Sequence, residues 1–163
     1  MKKIELQHSE ITNVSKIVCE DKGNGSKSKI TFLNINHKWY FKTLIDGGVY
    51  NDKKNKKCDY KLEKYCGDKS TVQDIEDEYN SNLKCGVQYY VELKGENIDE
   101  AIPQLENTIM QLSNGETDSL AFIVFSNKSP NSATKNMQIE KAFLKKNKIH
   151  LLIKRTPYEH KLQ

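Results

Sequence analysis

The stretch "QYYVELKGENIDEAIPQLENTI", residues 88–109, decides the fold because it joins an apolar strand pattern directly to an amphipathic helix pattern. The segment VQYYVEL at residues 87–93 predicts a buried strand. The apolar side chains that follow keep helical spacing, and Asn97 is placed to cap the helix with Glu100 three residues on. Pro103 removes a hydrogen bond beyond the first turn, so we expect the helix to start late or to bend there.

Further elements follow from the same patterns on either side of this stretch. Apolar or alternating segments predict strands at residues 29–35, 38–45, 58–66, 120–125 and 148–154. Residues 132–146 predict a second helix with four inward side chains: Met137, Ile139, Ala142 and Phe143. The order of strands followed by β-α-β-α-β predicts an α/β fold with a mixed central β-sheet flanked by helices. Without an internal repeat or a Pro- or Gly-rich linker, we expect one domain over residues 1–163.

Two regions give weaker patterns. Residues 1–20 fit either a strand at 3–7 or a short helix at 9–18. Residues 67–86 are polar and acidic and predict a long exposed segment.

The composition of the chain indicates how it could bind a nucleic acid and where in the cell it is expected. The chain has 163 residues and a net charge of +4, from 26 basic and 22 acidic side chains. Every basic residue except Arg155 is a lysine. Lysine is a point charge that suits phosphate, whereas arginine supplies the fork that reads guanine edges, so a nucleic acid would be held by its backbone. No apolar run is long enough for a membrane span and the start lacks a signal-peptide core, so we expect a cytoplasmic protein with no membrane partner.

Glu92 and Lys94 form an acidic-x-Lys pair at the end of the predicted strand. The spacing alone is weak, since about three copies should occur by chance in a chain of this composition. Glu20/Lys22, Asp52/Lys54 and Glu159/Lys161 share it, and we expect these to lie in turns or tails. Only the pair at 92 and 94 ends an apolar strand and precedes a helix.

Asp59 gives this pair a chemical use. Residues two apart on a strand share a face, so Glu92 and Lys94 point the same way while Leu93 points into the core. If the strand that carries Asp59 pairs with that of Glu92, the two carboxylates converge at one end of the sheet. They would form an oxygen-ligand site for Mg²⁺, completed by the Leu93 carbonyl, water and a substrate phosphate. Lys94 beside them could position or deprotonate the attacking water, or stabilise negative charge on the phosphate.

This arrangement resembles the PD-(D/E)XK nuclease superfamily, in which an Asp on one strand is followed by Glu-x-Lys on the next and then by a core helix. The resemblance covers roughly residues 30–126 and implies a restriction-endonuclease-like core. It implies that Asp59 and Glu92 are metal ligands and that Lys94 is the catalytic lysine. Gln104 falls where related members place a glutamine near the site, and it completes the predicted catalytic set.

The sequence departs from the superfamily pattern at two points. Cys58 stands where the name-giving proline would be, and the gap between Asp59 and Glu92 is long. Some members add a glutamate from an N-terminal helix, for which Glu5 and Glu10 are the candidates.

The resemblance implies a Mg²⁺-dependent endonuclease, with Mn²⁺ as a substitute, that hydrolyses DNA phosphodiester bonds. Little chain remains for target recognition, so we expect cleavage directed by DNA structure or by a protein partner, and a homodimer would suit cutting of two strands. The alternative is a non-enzymatic regulatory, defence or immunity module on the same fold that binds a protein partner through "DIEDEY", residues 74–79. RNA is a further alternative as substrate.

Overall fold

A computed structural model of the chain describes residues 3–21, 27–50, 56–79, 86–95, 97–115, 118–126 and 132–163. The described helices are α1 (Lys3–Leu6), α2 (Val72–Tyr79), α3 (Ile98–Leu112) and α4 (Ala133–Asn147). The described strands are β1 (Ser9–Thr12), β2 (Lys16–Glu20), β3 (Lys29–Leu33), β4 (Tyr40–Leu44), β5 (Tyr60–Lys64), β6 (Gln88–Lys94), β7 (Leu120–Phe125), β8 (His150–Arg155) and β9 (Tyr158–Lys161).

Six of the described strands form one mixed sheet in the order β1-β4-β5-β6-β7-β8. Neighbouring strands are antiparallel from β1 to β6 and parallel from β6 to β8. The two parallel connections contain α3 and α4, as a parallel pair needs a crossover. The predicted mixed α/β fold is therefore confirmed. The apolar strand β7 lies between β6 and β8, which agrees with its predicted central position.

The two faces of this sheet are covered differently. On one face, α3 and α4 pack against a core that includes Tyr90, Ile123 and Ile153. On the other face, a second sheet of three described strands, in the order β2-β3-β9, packs against the first through contacts such as that of Phe32 with Phe122. The predicted flanking helices are thus found on the first face of the described structure, and a sheet takes their place on the second.

Helix α3 follows the predicted pattern more closely than its proline suggested. Asn97 caps it, and its side chain accepts a hydrogen bond from the backbone N–H of Glu100 at 3.3 Å. The helix then runs from Ile98 through Pro103 to Leu112, so the expected late start is wrong. Its buried side chains recur at helical spacing: Ile98, Ala101, Gln104, Leu105, Thr108, Ile109 and Leu112.

Helix α4 buries a narrower stripe than its pattern predicted. Phe143 is buried and Ile139 packs partly buried against the same core. Met137 is 54% exposed and Ala142 is also exposed, so their predicted inward positions are wrong. The helix packs on β8, an edge strand, and a helix at the margin of a sheet has less surface to cover.

Three further predictions of secondary structure are wrong. The N-terminal assignments are reversed, since residues 3–6 are helical and strands lie at residues 9–12 and 16–20. The strand predicted at residues 148–154 was expected to be the last one, but a further strand, β9, follows it. The segment expected to be long and exposed contains α2, which buries Ile75 and Tyr79, although most of its other described residues are exposed. Residues 80–85 of that segment lie outside the described structure.

No α-helix among the described residues has the length and apolarity needed to cross a bilayer. The cytoplasmic location and the single domain over residues 1–163 stay predictions.

Candidate active site at the end of β5 and β6

Strand pairing brings the two predicted carboxylates together. β5 and β6 are antiparallel, and Tyr60 is in register with Val91. Continued by one residue, this register would place Asp59 opposite Glu92, and the charge of Asp59 contributes to the raised pKa of Glu92. The shared ion site of the two carboxylates stays a prediction. The backbone N–H of Ile45 donates to the carbonyl of Asp59 at 2.9 Å, which continues the pairing of β4 with β5 up to this residue.

Asp59 is fixed to β6 by its own side chain. Its Oδ2 accepts a hydrogen bond from the backbone N–H of Leu93 at 2.6 Å. Burial raises the pKa of this carboxyl from 3.8 to about 6, although the Leu93 N–H and the Lys94 charge lower it. The charges of Asp21 and Asp46 add to the increase. The structure thus surrounds Asp59 with more negative charge than the sequence analysis identified.

Glu92 is fully buried at the same place. Its Oε1 lies 2.8 Å from Lys94 Nζ, while its Oε2 has no hydrogen-bond partner among the described residues. Burial, and then the charge of Asp59, raises the pKa of Glu92 well above its usual range. A buried carboxylate oxygen with an unused lone pair is costly unless a proton or a cation satisfies it. A second positive charge, in addition to that of Lys94, would therefore stabilise the two carboxylates of the site.

Lys94 is positioned to act as a cation. Burial lowers the pKa of its ammonium, but the charge and hydrogen bond of Glu92 and the charge of Asp59 outweigh burial and raise the pKa overall. Its side chain is 23% exposed, so the ammonium can also be reached from solvent. A lysine that holds its proton stabilises negative charge and does not deprotonate water. Of its predicted roles, this geometry favours charge stabilisation.

Gln104 is buried, and its described contact is with the backbone. Its Nε2 donates to the carbonyl of Lys57 at 3.1 Å, two residues before Asp59. Thr108 Oγ1, one helical turn on, accepts from the backbone N–H of Cys58 at 2.9 Å and donates to the Gln104 carbonyl. Together they attach the start of β5 to α3. The contact supports a positioning role for Gln104, and its predicted catalytic role stays a prediction.

The contacts of Thr108 were not anticipated from sequence. Thr108 lies four residues after Gln104, so both share one helix face. This spacing is the sequence feature that could have indicated a shared role for the two residues.

The N-terminal glutamates lie in other ion pairs. Glu5 is buried, and its Oε2 accepts a hydrogen bond from Lys61 Nζ at 2.8 Å. Glu63 Oε2 lies 2.9 Å from the same ammonium, which makes a buried cluster of Glu5, Lys61 and Glu63. Glu10 is exposed and pairs with Lys42 at 3.5 Å. Among the described contacts, none joins Glu5 or Glu10 to Asp59 or Glu92.

Asp59 and Lys61 also have the acidic-x-Lys spacing, but this lysine pairs with Glu5 and Glu63 and not with Asp59. The remaining copies lack the environment of Glu92 and Lys94 wherever the structure describes them. Glu159 and Lys161 lie on β9, so their predicted position in a tail is wrong. Both are exposed, and the residue in register with Glu159 is Thr31, which supplies no carboxylate. Glu20 ends β2, which corrects its expected place in a turn. Lys22, Asp52 and Lys54 lie outside the described residues.

A metal site would need further ligands from outside the protein. The described residues contain no group of three or more His, Cys, Asp or Glu side chains arranged to hold an ion. Mg²⁺ commonly binds through one or two carboxylates and keeps several waters or substrate phosphates. Asp59 and the unpartnered oxygen of Glu92 fit that mode. The Leu93 carbonyl as a ligand stays a prediction, since the described contact of Leu93 with this site is through its N–H.

Comparisons of the chain with protein-family models, with curated proteins and with solved structures gave no match. The resemblance to the PD-(D/E)XK superfamily therefore stays a hypothesis, and the function has to be inferred from the chemistry of the site.

Proposed function

We propose that this protein is a metal-dependent nuclease that hydrolyses DNA phosphodiester bonds with Mg²⁺ or Mn²⁺. The observation that carries the proposal is the buried Glu92 carboxylate, whose Oε1 lies on Lys94 and whose Oε2 has no hydrogen-bond partner among the described residues. The charge of Asp59 acts on the same carboxylate and raises its pKa. Two carboxylates and an ammonium at the end of two strands form a charge pattern that suits a divalent ion and a phosphate. The order of β5, β6 and α3 also agrees with the superfamily pattern.

Each residue of the site has a separate part in this chemistry. When bound, the divalent ion would lower the pKa of a water molecule and polarise the phosphate. Asp59, held by the Leu93 N–H, and Glu92 would hold the ion from adjacent strands. The Lys94 ammonium would stabilise the negative charge that develops on the phosphate in the transition state. Gln104 and Thr108 keep the residues before Asp59 against α3, which fixes the position of its carboxylate.

The charges of the chain favour a polyanionic substrate held by its backbone. With one arginine among 26 basic residues, base reading by arginine forks is restricted. Cleavage directed by DNA structure or by a protein partner follows from this composition. RNA as substrate and a homodimer as the active form are further hypotheses.

Nicking of a supercoiled plasmid in Mg²⁺ or Mn²⁺ tests the proposal. Asp59→Asn, Glu92→Gln and Lys94→Ala should each abolish nicking, as should a chelator. Glu159→Gln and Lys161→Ala are matched controls, because they change the same motif on β9 and should cut like the parent. Circular dichroism and thermal melting check that every variant is folded. A parent protein that does not nick in either metal, or site variants that nick as fast as the controls, would refute the nuclease.

Helix α2 is the observation that favours the alternative, a non-enzymatic module that binds a protein partner. Ile75 and Tyr79 anchor it to the molecule, while Asp74 and Asp77 are exposed on its outer side. A calorimetric titration with Mg²⁺ or Mn²⁺ separates the two hypotheses. Metal binding that is lost in Glu92→Gln supports the enzyme, whereas a tight protein complex that this change leaves intact supports the module.

A further inference from the structure

The carboxyl ends of β6, β7 and β8 lie side by side at the edge of the sheet that carries Glu92. Lys94 is in register with Phe125, and Phe125 is in register with Arg155. Because neighbouring strands are about 4.8 Å apart, the backbone of Arg155 lies about 10 Å from that of Lys94 along this row. In open α/β sheets, ligands bind in the crevice at the carboxyl ends of the strands.

Lys94 and Arg155 also lie on the same face of the sheet. Lys94 continues the face of Tyr90 and Arg155 continues the face of Ile153, and both of these belong to the core beneath α3 and α4. Arg155 is exposed, and no described residue forms an ion pair with its guanidinium. An exposed cation in this position is available to an anion that also reaches Lys94.

Residues 27–29, which lead into β3, lie against the same edge. Ser28 Oγ donates to the carbonyl of Lys94 at 2.6 Å. Thr156, which follows β8 directly, accepts from the backbone N–H of Lys29 at 2.8 Å, and its hydroxyl lies 3.3 Å from the carbonyl of Lys27. These contacts hold residues 27–29 at the carboxyl end of β6 and beside the end of β8.

We propose that Arg155 binds the phosphate backbone of the DNA beside the bond that is cut. This inference rests on the proposed nuclease function and names a contact that extends the substrate site beyond the carboxylates. At about 3.4 Å of axial rise per nucleotide, a distance of about 10 Å places this contact two or three nucleotides from the reacting phosphate. Backbone contacts fix register and orientation on the nucleic acid and carry no sequence information.

Binding of a short fluorescein-labelled DNA duplex, followed by anisotropy in a chelator at several salt concentrations, tests this contact without cleavage. Arg155→Ala should weaken binding about twofold to fivefold, the range expected for one exposed ion pair. It should also reduce the slope of log K against log salt by about 0.9, since one phosphate is no longer neutralised. Arg155→Lys keeps the charge and should keep the parent slope. Lys145→Ala is the matched control, because it removes an exposed cation from the last turn of α4, at the other end of the sheet.

The contact is refuted if Arg155→Ala binds with the affinity and slope of Lys145→Ala, or if the parent protein does not bind the duplex at low salt. The nuclease is judged separately by plasmid nicking. A parent that nicks DNA while Arg155→Ala binds normally keeps the nuclease and loses this contact. A parent that binds DNA through Arg155 but does not nick in Mg²⁺ or Mn²⁺ loses the nuclease and keeps the contact.

Discussion

Two clusters with the same composition, two carboxylates and one lysine each, differ in how their charges are arranged. In the cluster of Glu5, Lys61 and Glu63, the ammonium lies within 2.9 Å of a carboxylate oxygen of both glutamates. At the candidate active site, Lys94 contacts Glu92, while Asp59 accepts a hydrogen bond from the backbone N–H of Leu93 and has no ion pair with Lys94 among the described contacts.

The difference in arrangement distinguishes a cluster whose charges are already paired from one that could bind a further cation. Lys61 already pairs with both Glu5 and Glu63, so a bound cation would add little electrostatic stabilisation to that cluster. At Asp59 and Glu92, one buried Glu92 oxygen has no hydrogen-bond partner in the described part of the chain, so a bound cation would stabilise the pair. On the proposed function, Asp59 and Glu92 bind the ion, whereas the Glu5, Lys61 and Glu63 cluster contributes to the stability of the fold.

The largest expected effect is on stability, from removing the lysine of the folding cluster. Lys61→Met leaves Glu5 and Glu63 buried without their cation, and loss of one partner of a buried pair costs about 3–5 kcal/mol. Lys94→Met, the matched change at the other cluster, should cost less, because Glu92 already has a raised pKa and can take up a proton. Urea unfolding of both variants gives the two free energies. Equal losses would show that the clusters do not differ in the way proposed.

The pH dependence of stability should be dominated by the candidate active site between about pH 4 and pH 6. Burial raises the pKa of Asp59 from 3.8 to about 6, so the folded state binds more protons than the unfolded state in this window. In the absence of metal, the free energy of unfolding should therefore fall as the pH rises through it. Asp59→Asn removes one of two titrations and should make the profile shallower, while Glu92, whose pKa burial also raises, keeps its own contribution.

Urea unfolding at several pH values, with and without Mg²⁺, measures this profile. Added Mg²⁺ should restore part of the lost stability above pH 6, because the ion binds the deprotonated carboxylates of the folded state. A parent profile that coincides with that of Asp59→Asn would contradict the assignment of this titration to Asp59.

The sequence predicted the part of the fold in which local pattern and burial agree. Residues 88–112 have a strand and a capped helix because apolar spacing and Asn97 specify both locally. The pairing of Asp59 with Glu92 could be predicted because each lies on a recognisable strand. β9 was missed since its four residues are polar or half-buried, and their pairing with β3 depends on residues more than a hundred positions earlier.

The buried folding cluster shows where such prediction fails. Strand alternation placed Lys61 and Glu63 on a polar face, which usually means solvent. In the structure this face is covered, and the partner Glu5 lies 56 residues before Lys61. Periodicity describes which residues share a face and carries no information on what covers it.

The smallest expected effect is that of Thr108, the residue that ties the start of β5 to α3. Thr108→Val removes the acceptor of the Cys58 N–H, and a lost buried hydrogen bond of this kind costs about 1 kcal/mol. If the contact positions Asp59, kcat for plasmid nicking should fall severalfold with little change in KM. Thr108→Ser keeps the hydroxyl and should recover the parent rate, which a purely packing role for the Thr108 methyl group would not allow. A lower kcat in Thr108→Val together with a parent kcat in Thr108→Ser would show that the Thr108 hydroxyl positions the active site. An unchanged kcat in Thr108→Val would show that the contact of Thr108 with β5 contributes to stability alone.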